Sequence, residues 1–109
     1  VSNDRFIPTD GRPLTPYERE ILTILQEECA EVIVAASKLL RFGAGNTNPS
    51  TGESNVRELS LELGDLQKML SIVGGTDLAD ASQIEAGYLR KGRRLSRFLQ
   101  TEPEGTAHG

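Results

Sequence analysis

Apolar residues recur at helical spacing along three stretches of this chain, and polar, glycine-rich or proline-rich segments separate them. The first stretch runs from Ile21 to Phe42. "TPYE" supplies its start: Thr15 can cap, Pro16 suits the first helical position, and Glu18 completes a capping box. Gly43 follows as a C-cap. The second stretch spans Asn55 to Val73 and is closed by Gly74 and Gly75. The third begins near Asp77, is broken around Ser82, and ends near Gln100. Between the first two lies "GAGNTNPSTGES", a loop of about a dozen residues, long enough in a small domain to suggest a function. The pattern contains no internal repeat and no strand-like alternation. It predicts an all-α domain over residues 15–100, an irregular N-terminal arm over 1–14 and a disordered tail over 101–109.

At 100° per residue, Ile21, Leu25, Val32, Ala35 and Leu39 form one apolar stripe on the first helix. Glu28 falls inside that stripe, Glu31 lies at its edge beside Ile24 and Ala35, and Glu27 lies further round, between Lys38 and Arg41. On the second helix, Leu59, Leu66, Met69, Leu70 and Val73 form the stripe. Glu62 lies among them, and Asp65 sits at the edge with Glu58 on the same side. If the two faces pack antiparallel, four carboxylates converge.

Such a cluster changes what the composition implies. An ion leaving water costs several kcal/mol even after relaxation, and like charges nearby add to that. Protonation, basic partners or a divalent cation can relieve it. Oxygen ligands without histidine or cysteine suit Mg²⁺ or Mn²⁺. The single histidine, His108, lies in the tail, which argues against a di-iron site built from Glu-x-x-His. A lone E-x-x-E is ordinarily surface charge, and an inward glutamate can also pair with a lysine or arginine; two such motifs aimed at apolar stripes favour the metal.

The chain has 109 residues, one small domain's worth, with 5% aromatic residues and no Trp, so association with further copies is an expected source of stability. A net charge of −4 argues against general nucleic-acid binding. One cysteine, Cys29, excludes an internal disulfide and fits a reducing compartment. The wheel turns it toward Leu22, Val32 and Ala36, as small core packing. The opening "VSNDRFIPTDGRP" is not a signal peptide, and no apolar run approaches a membrane span. A soluble, cytoplasmic protein is expected.

"EECAEV" followed at a distance by "ELGD" resembles the E-E-x-x-E … E-x-x-D signature of the MazG-like all-α nucleoside triphosphate pyrophosphohydrolases. The similarity spans residues 17–98 and is closest to the short single-domain members of phages and bacteria. The spacer between the motifs is on the long side for that family. By position, the resemblance implies that Glu28, Glu31, Glu62 and Asp65 are ligands to Mg²⁺, with Mn²⁺ as substitute, and that Glu27 is the leading glutamate of the motif. It implies hydrolysis of a (deoxy)nucleoside triphosphate to monophosphate and pyrophosphate by metal-activated water. It also implies a homodimer or homotetramer in which helices of two chains complete each bundle. Glu31 is the expected catalytic residue, since a border position can touch both metal and solvent. A phosphoribosyl-ATP pyrophosphohydrolase-like enzyme and a non-catalytic helical interaction module are the competing readings.

Phosphate chemistry also needs cations. Lys38 lies two turns after Glu31 on nearly the same side of its helix. On the third helix Arg90, Arg93, Arg94 and Arg97 form one basic face, whereas Lys91 lies with Ile84, Tyr88, Leu95 and Phe98 on the expected inward side. Lys91 best matches the phosphate-reaching lysine of the family's last helix, and Tyr88 one turn earlier could contact base or phosphate. Lys38, Tyr88, Lys91 and Arg94 are therefore the expected substrate contacts. A solvated arginine face, or one pairing with another subunit, is the plainer alternative. Gly64, opposite Glu62, would permit close helix approach. Leu61, Ile72 and Val34 form a second apolar patch suited to a subunit interface.

Overall fold

A computed structural model describes residues 11–45 and 47–103. It contains α1 (Pro16–Phe42), α2 (Asn55–Gly74) and α3 (Ala81–Phe98), with an isolated antiparallel bridge between Thr47 and Ser54. The all-α reading holds. Residues 1–10 of the arm and 104–109 of the tail lie outside the described residues; residues 11–14 of the arm are non-helical. The chain divides into two compact units, Val1–Ile72 and Val73–Gly109.

In the first unit α1 starts where its capping box predicts. The Thr15 hydroxyl accepts from the Glu18 amide at 3.1 Å, and the Glu18 carboxylate accepts from the Thr15 amide at 2.9 Å. Arg12 extends this cap with two parallel hydrogen bonds to Glu18, at 2.8 and 2.9 Å. The helix ends at Gly43, whose φ of 86° is open to glycine and whose amide reaches the Leu39 carbonyl at 2.9 Å.

The connecting loop is closed upon itself. The Asn48 side-chain oxygen accepts from the amides of Ser50 and Thr51, and the Asn48 amide donates to the Glu53 carbonyl at 2.7 Å. Gly52, at φ 76°, turns the chain back. The Ser54 hydroxyl then accepts from the Arg57 amide and opens α2. Asn55, 3% exposed, donates from its side chain to the Gly43 carbonyl at 3.2 Å. The end of α1 and the beginning of α2 are thus pinned together.

From this hinge the helices run antiparallel. Lys38 meets Glu58 near the loop, and Glu28 meets Glu62 and Asp65 further along. Ile21, Ala35 and Met69 are the buried apolar side chains among the described residues, with Leu25, Val32, Leu39, Leu59 and Leu66 half-buried around them. The α1 stripe therefore lies where its periodicity places it. On α2 the buried face is displaced: Leu70, expected in the stripe, is exposed. Met69 lies about 100° from Leu70 on the wheel and close to Glu62, so α2 meets α1 through the Met69–Glu62 side and leaves Leu70 at the rim.

Cys29 is exposed rather than packed, although Leu22 and Ala36 on the same flank are half-buried. Gly64 makes no close approach among the described residues: a Cβ there would meet nothing within 4 Å. Of the expected second apolar patch, Leu61 and Val34 are exposed and Ile72 is half-buried.

In the second unit the chain turns before the third helix begins. The Thr76 hydroxyl donates to the Val73 carbonyl at 2.7 Å and accepts from the Leu78 amide at 3.2 Å. That turn delays the helix to Ala81, with Asp80 rather than Asp77 near its start: the Asp80 carboxylate caps the amides of Ser82 and Gln83. Its pKa is lowered, chiefly by a hydrogen bond from the Ser82 hydroxyl. The helix ends at Phe98, two residues before Gln100. None of its residues is buried. Ile84, Tyr88, Leu95 and Phe98, expected to face inward, are all exposed.

Candidate metal centre

Two helices in antiparallel register bring three of the four predicted carboxylates together. One oxygen each from Glu28, Glu62 and Asp65 lies within 4.8 Å of the others. Glu28 and Glu62 are half-buried, because their turns of helix face the partner helix; Asp65, one turn beyond Glu62, is exposed at the border. Glu31 is exposed and outside this group of three. It instead lines an adjoining cleft of about 50 Å³ with Val34, Ala35, Lys38, Glu58 and Glu62.

The electrostatics centre on Glu62. Its pKa is raised, first by burial and then by the charges of Glu31, Asp65, Glu28 and Glu58. Five carboxylates thus act on one small volume, and among the described residues Lys38 answers them, its ammonium 3.1 Å from Glu58. Sequence reasoning placed Glu58 on the correct side of α2 without a role. Its spacing of four residues before Glu62 was the available signal. Glu27 is exposed, away from the cluster, as the wheel indicates.

The donor set fits a hard divalent cation: oxygen atoms alone, from carboxylates on two different helices, close enough for one ion to reach several. Ligand oxygens around a small ion at 2.0–2.6 Å must themselves lie roughly 3–5 Å apart, and the triad meets that spacing.

The other expected substrate contacts are arranged differently. Lys38 borders the cleft but is engaged by Glu58. Tyr88, Lys91 and Arg94 belong to the second unit, where all three are exposed on α3. Two larger grooves, of about 340 and 550 Å³, flank Arg19 near the start of α1. Neither gathers more than one carboxylate, so the chemistry points to the smaller cleft.

No helix among the described residues is long and apolar enough to cross a membrane. Comparison with known protein families, curated proteins and solved structures returns no match to this chain.

Proposed function

We propose that this protein is a Mg²⁺-dependent nucleoside triphosphate pyrophosphohydrolase, with Mn²⁺ as a substitute ion. The observation that carries the reading is the convergence of Glu28, Glu62 and Asp65 from two antiparallel helices. A purely structural hairpin gains nothing from carboxylates that raise one another's energy.

In this reading Glu28, Glu62 and Asp65 hold the ion, with Glu31 at the open border. A bound divalent ion neutralises phosphate charge and lowers the pKa of a water. Glu31, exposed beside Glu62, orients or deprotonates the attacking water. Lys38, on the wall of the adjoining cleft, supplies positive charge to the phosphates. The exposed apolar residues of all three helices are the surface of a homodimer or homotetramer, through which a second chain completes the bundle.

Calorimetry with Mg²⁺ or Mn²⁺ on the wild type and on Glu28→Gln/Glu62→Gln tests the centre; a wild type that binds neither ion sinks the proposal. A panel of canonical and modified nucleoside triphosphates with Mg²⁺ tests the reaction. Pyrophosphate is the expected product, and primary release of orthophosphate contradicts the assignment.

A further inference from the structure

The carboxylate triad and the adjoining cleft share one residue. Glu62 belongs to the group with Glu28 and Asp65, and it also walls the cleft with Glu31, Lys38 and Glu58. Along α2 the acids therefore bound two adjacent seats. Asp65 and Glu62 bound the first, and Glu62 and Glu58, one turn earlier, bound the second. A positive charge lies in one of them: the Lys38 ammonium, 3.1 Å from Glu58 and on the wall of the second seat.

This ion pair is neither deeply buried nor fully solvated, with side-chain exposures of 33% for Lys38 and 19% for Glu58. A partly exposed pair contributes only about 0–1 kcal/mol to stability, so fold stability is a weak reason for it. Its position suggests another role. Mg²⁺ binds with several of its waters retained, and the cleft of about 50 Å³ left beside the Lys38 ammonium has little room for a hydrated ion. Two-metal sites place their ions about 3.5–4 Å apart with carboxylates reaching both. Glu62 is suitably shared for that, yet the place of the second ion coincides with Lys38.

We propose that Lys38 is a tethered cation occupying the Glu31/Glu58/Glu62 seat, so that each chain takes one divalent ion, at Glu28/Glu62/Asp65, and not two. This rests on reading the triad as a cation site. Lys38 is then a positioning residue that sets metal stoichiometry through Glu58, in addition to any contact with phosphate.

The test is Mn²⁺ titration of the full chain, with free ion counted by electron paramagnetic resonance, which requires no turnover. The wild type and Lys38→Arg bind one ion per chain. Lys38→Met binds two, and Lys38→Met/Glu58→Gln returns to one because the second seat has lost a wall. Lys38→Gln serves in the same role should Lys38→Met fail to fold, as judged by circular dichroism. Two ions on the wild type, or one on both Lys38→Met and Lys38→Gln, overturns the inference while leaving the cation site in place. No binding by any variant or by the wild type removes the cation site itself, and the inference with it.

Discussion

Glu18 and Glu62 both turn a carboxylate toward the interior of the first unit, and their surroundings push them in opposite directions. Around Glu18 every near neighbour is a donor: the Arg12 guanidinium in two hydrogen bonds, and the Thr15 amide. Its pKa is held down to about 2, with the Arg12 hydrogen bond the largest cause. Around Glu62, burial and the charges of four other acids raise the pKa. The first carboxylate is completed by its own chain and ties the incoming segment to a helix start. The second belongs to a set whose excess charge an external cation can relieve. Inward acid is therefore not a signature of function by itself.

The largest expected effect follows from that excess. Mg²⁺ or Mn²⁺ at 100 times its dissociation constant should stabilise the wild type by about 2.7 kcal/mol, and should leave Glu28→Gln/Glu62→Gln unmoved. Thermal denaturation with and without the ion measures both. Equal stabilisation of the two proteins would place the ion elsewhere.

Next in size is a contrast between two identical chemical changes. In chelator at neutral pH, Glu18→Gln should lower the melting temperature because it breaks the paired Arg12 contacts. Glu62→Gln should raise it by a few degrees because it removes a charge from among like charges. A fall in both would mean that Glu62 is held by favourable contacts, and the comparison would collapse.

The pH profile sharpens the same contrast. The folded state binds a proton on Glu18 less readily than the unfolded chain, so that contribution is present above the ordinary value of 4.5 and is lost as pH falls toward about 2. The folded state binds a proton on Glu62 more readily, so its contribution is present below 4.5 and is lost as pH rises through the elevated folded value. Urea midpoints across pH should therefore lose their acid-side slope in Glu18→Gln. In Glu62→Gln, the decline on the less acidic side should flatten. A profile unchanged by either substitution contradicts the assignment of these slopes.

The smallest effect concerns Gly64, one helical position from Leu63 and with nothing among the described residues within 4 Å of a Cβ placed there. Gly64→Ala should stabilise an isolated chain by about 0.5–1 kcal/mol through helix propensity. A loss of stability that grows with protein concentration would reveal a second chain packed against that face.

Helix starts and the acidic pattern were legible because both follow local rules. Thr15, Pro16 and Glu18 announce a helix within four positions, and a 100° wheel separates Glu28 from Glu27 without knowledge of the fold. Three features were less legible, each for a physical reason. Arg12 lies in a segment with no periodicity, and nothing local says that its side chain will fold back onto Glu18. Asn55 reads as a solvated polar residue at a helix start, whereas its burial depends on the Gly43 carbonyl, twelve positions earlier. Asp77 and Asp80 are equally good caps in isolation; Thr76, by taking the Val73 carbonyl, decides between them. The wheel also groups Ile84, Tyr88, Leu95 and Phe98 correctly on one side of α3. Periodicity identifies residues that share a face, but not whether the same chain covers that face.

The pinned hinge between α1 and α2 has a consequence for engineering. Because the Asn55–Gly43 bond closes the base of the loop and the Asn48 turn closes its tip, the spacing of Glu28 and Glu62 is set below the loop, not by its length. A peptide tag or fluorophore-bearing insert between Ser50 and Thr51 would open the Asn48 turn but leave the Asn55–Gly43 bond at the base, which makes this tip a natural place to attach a reporter.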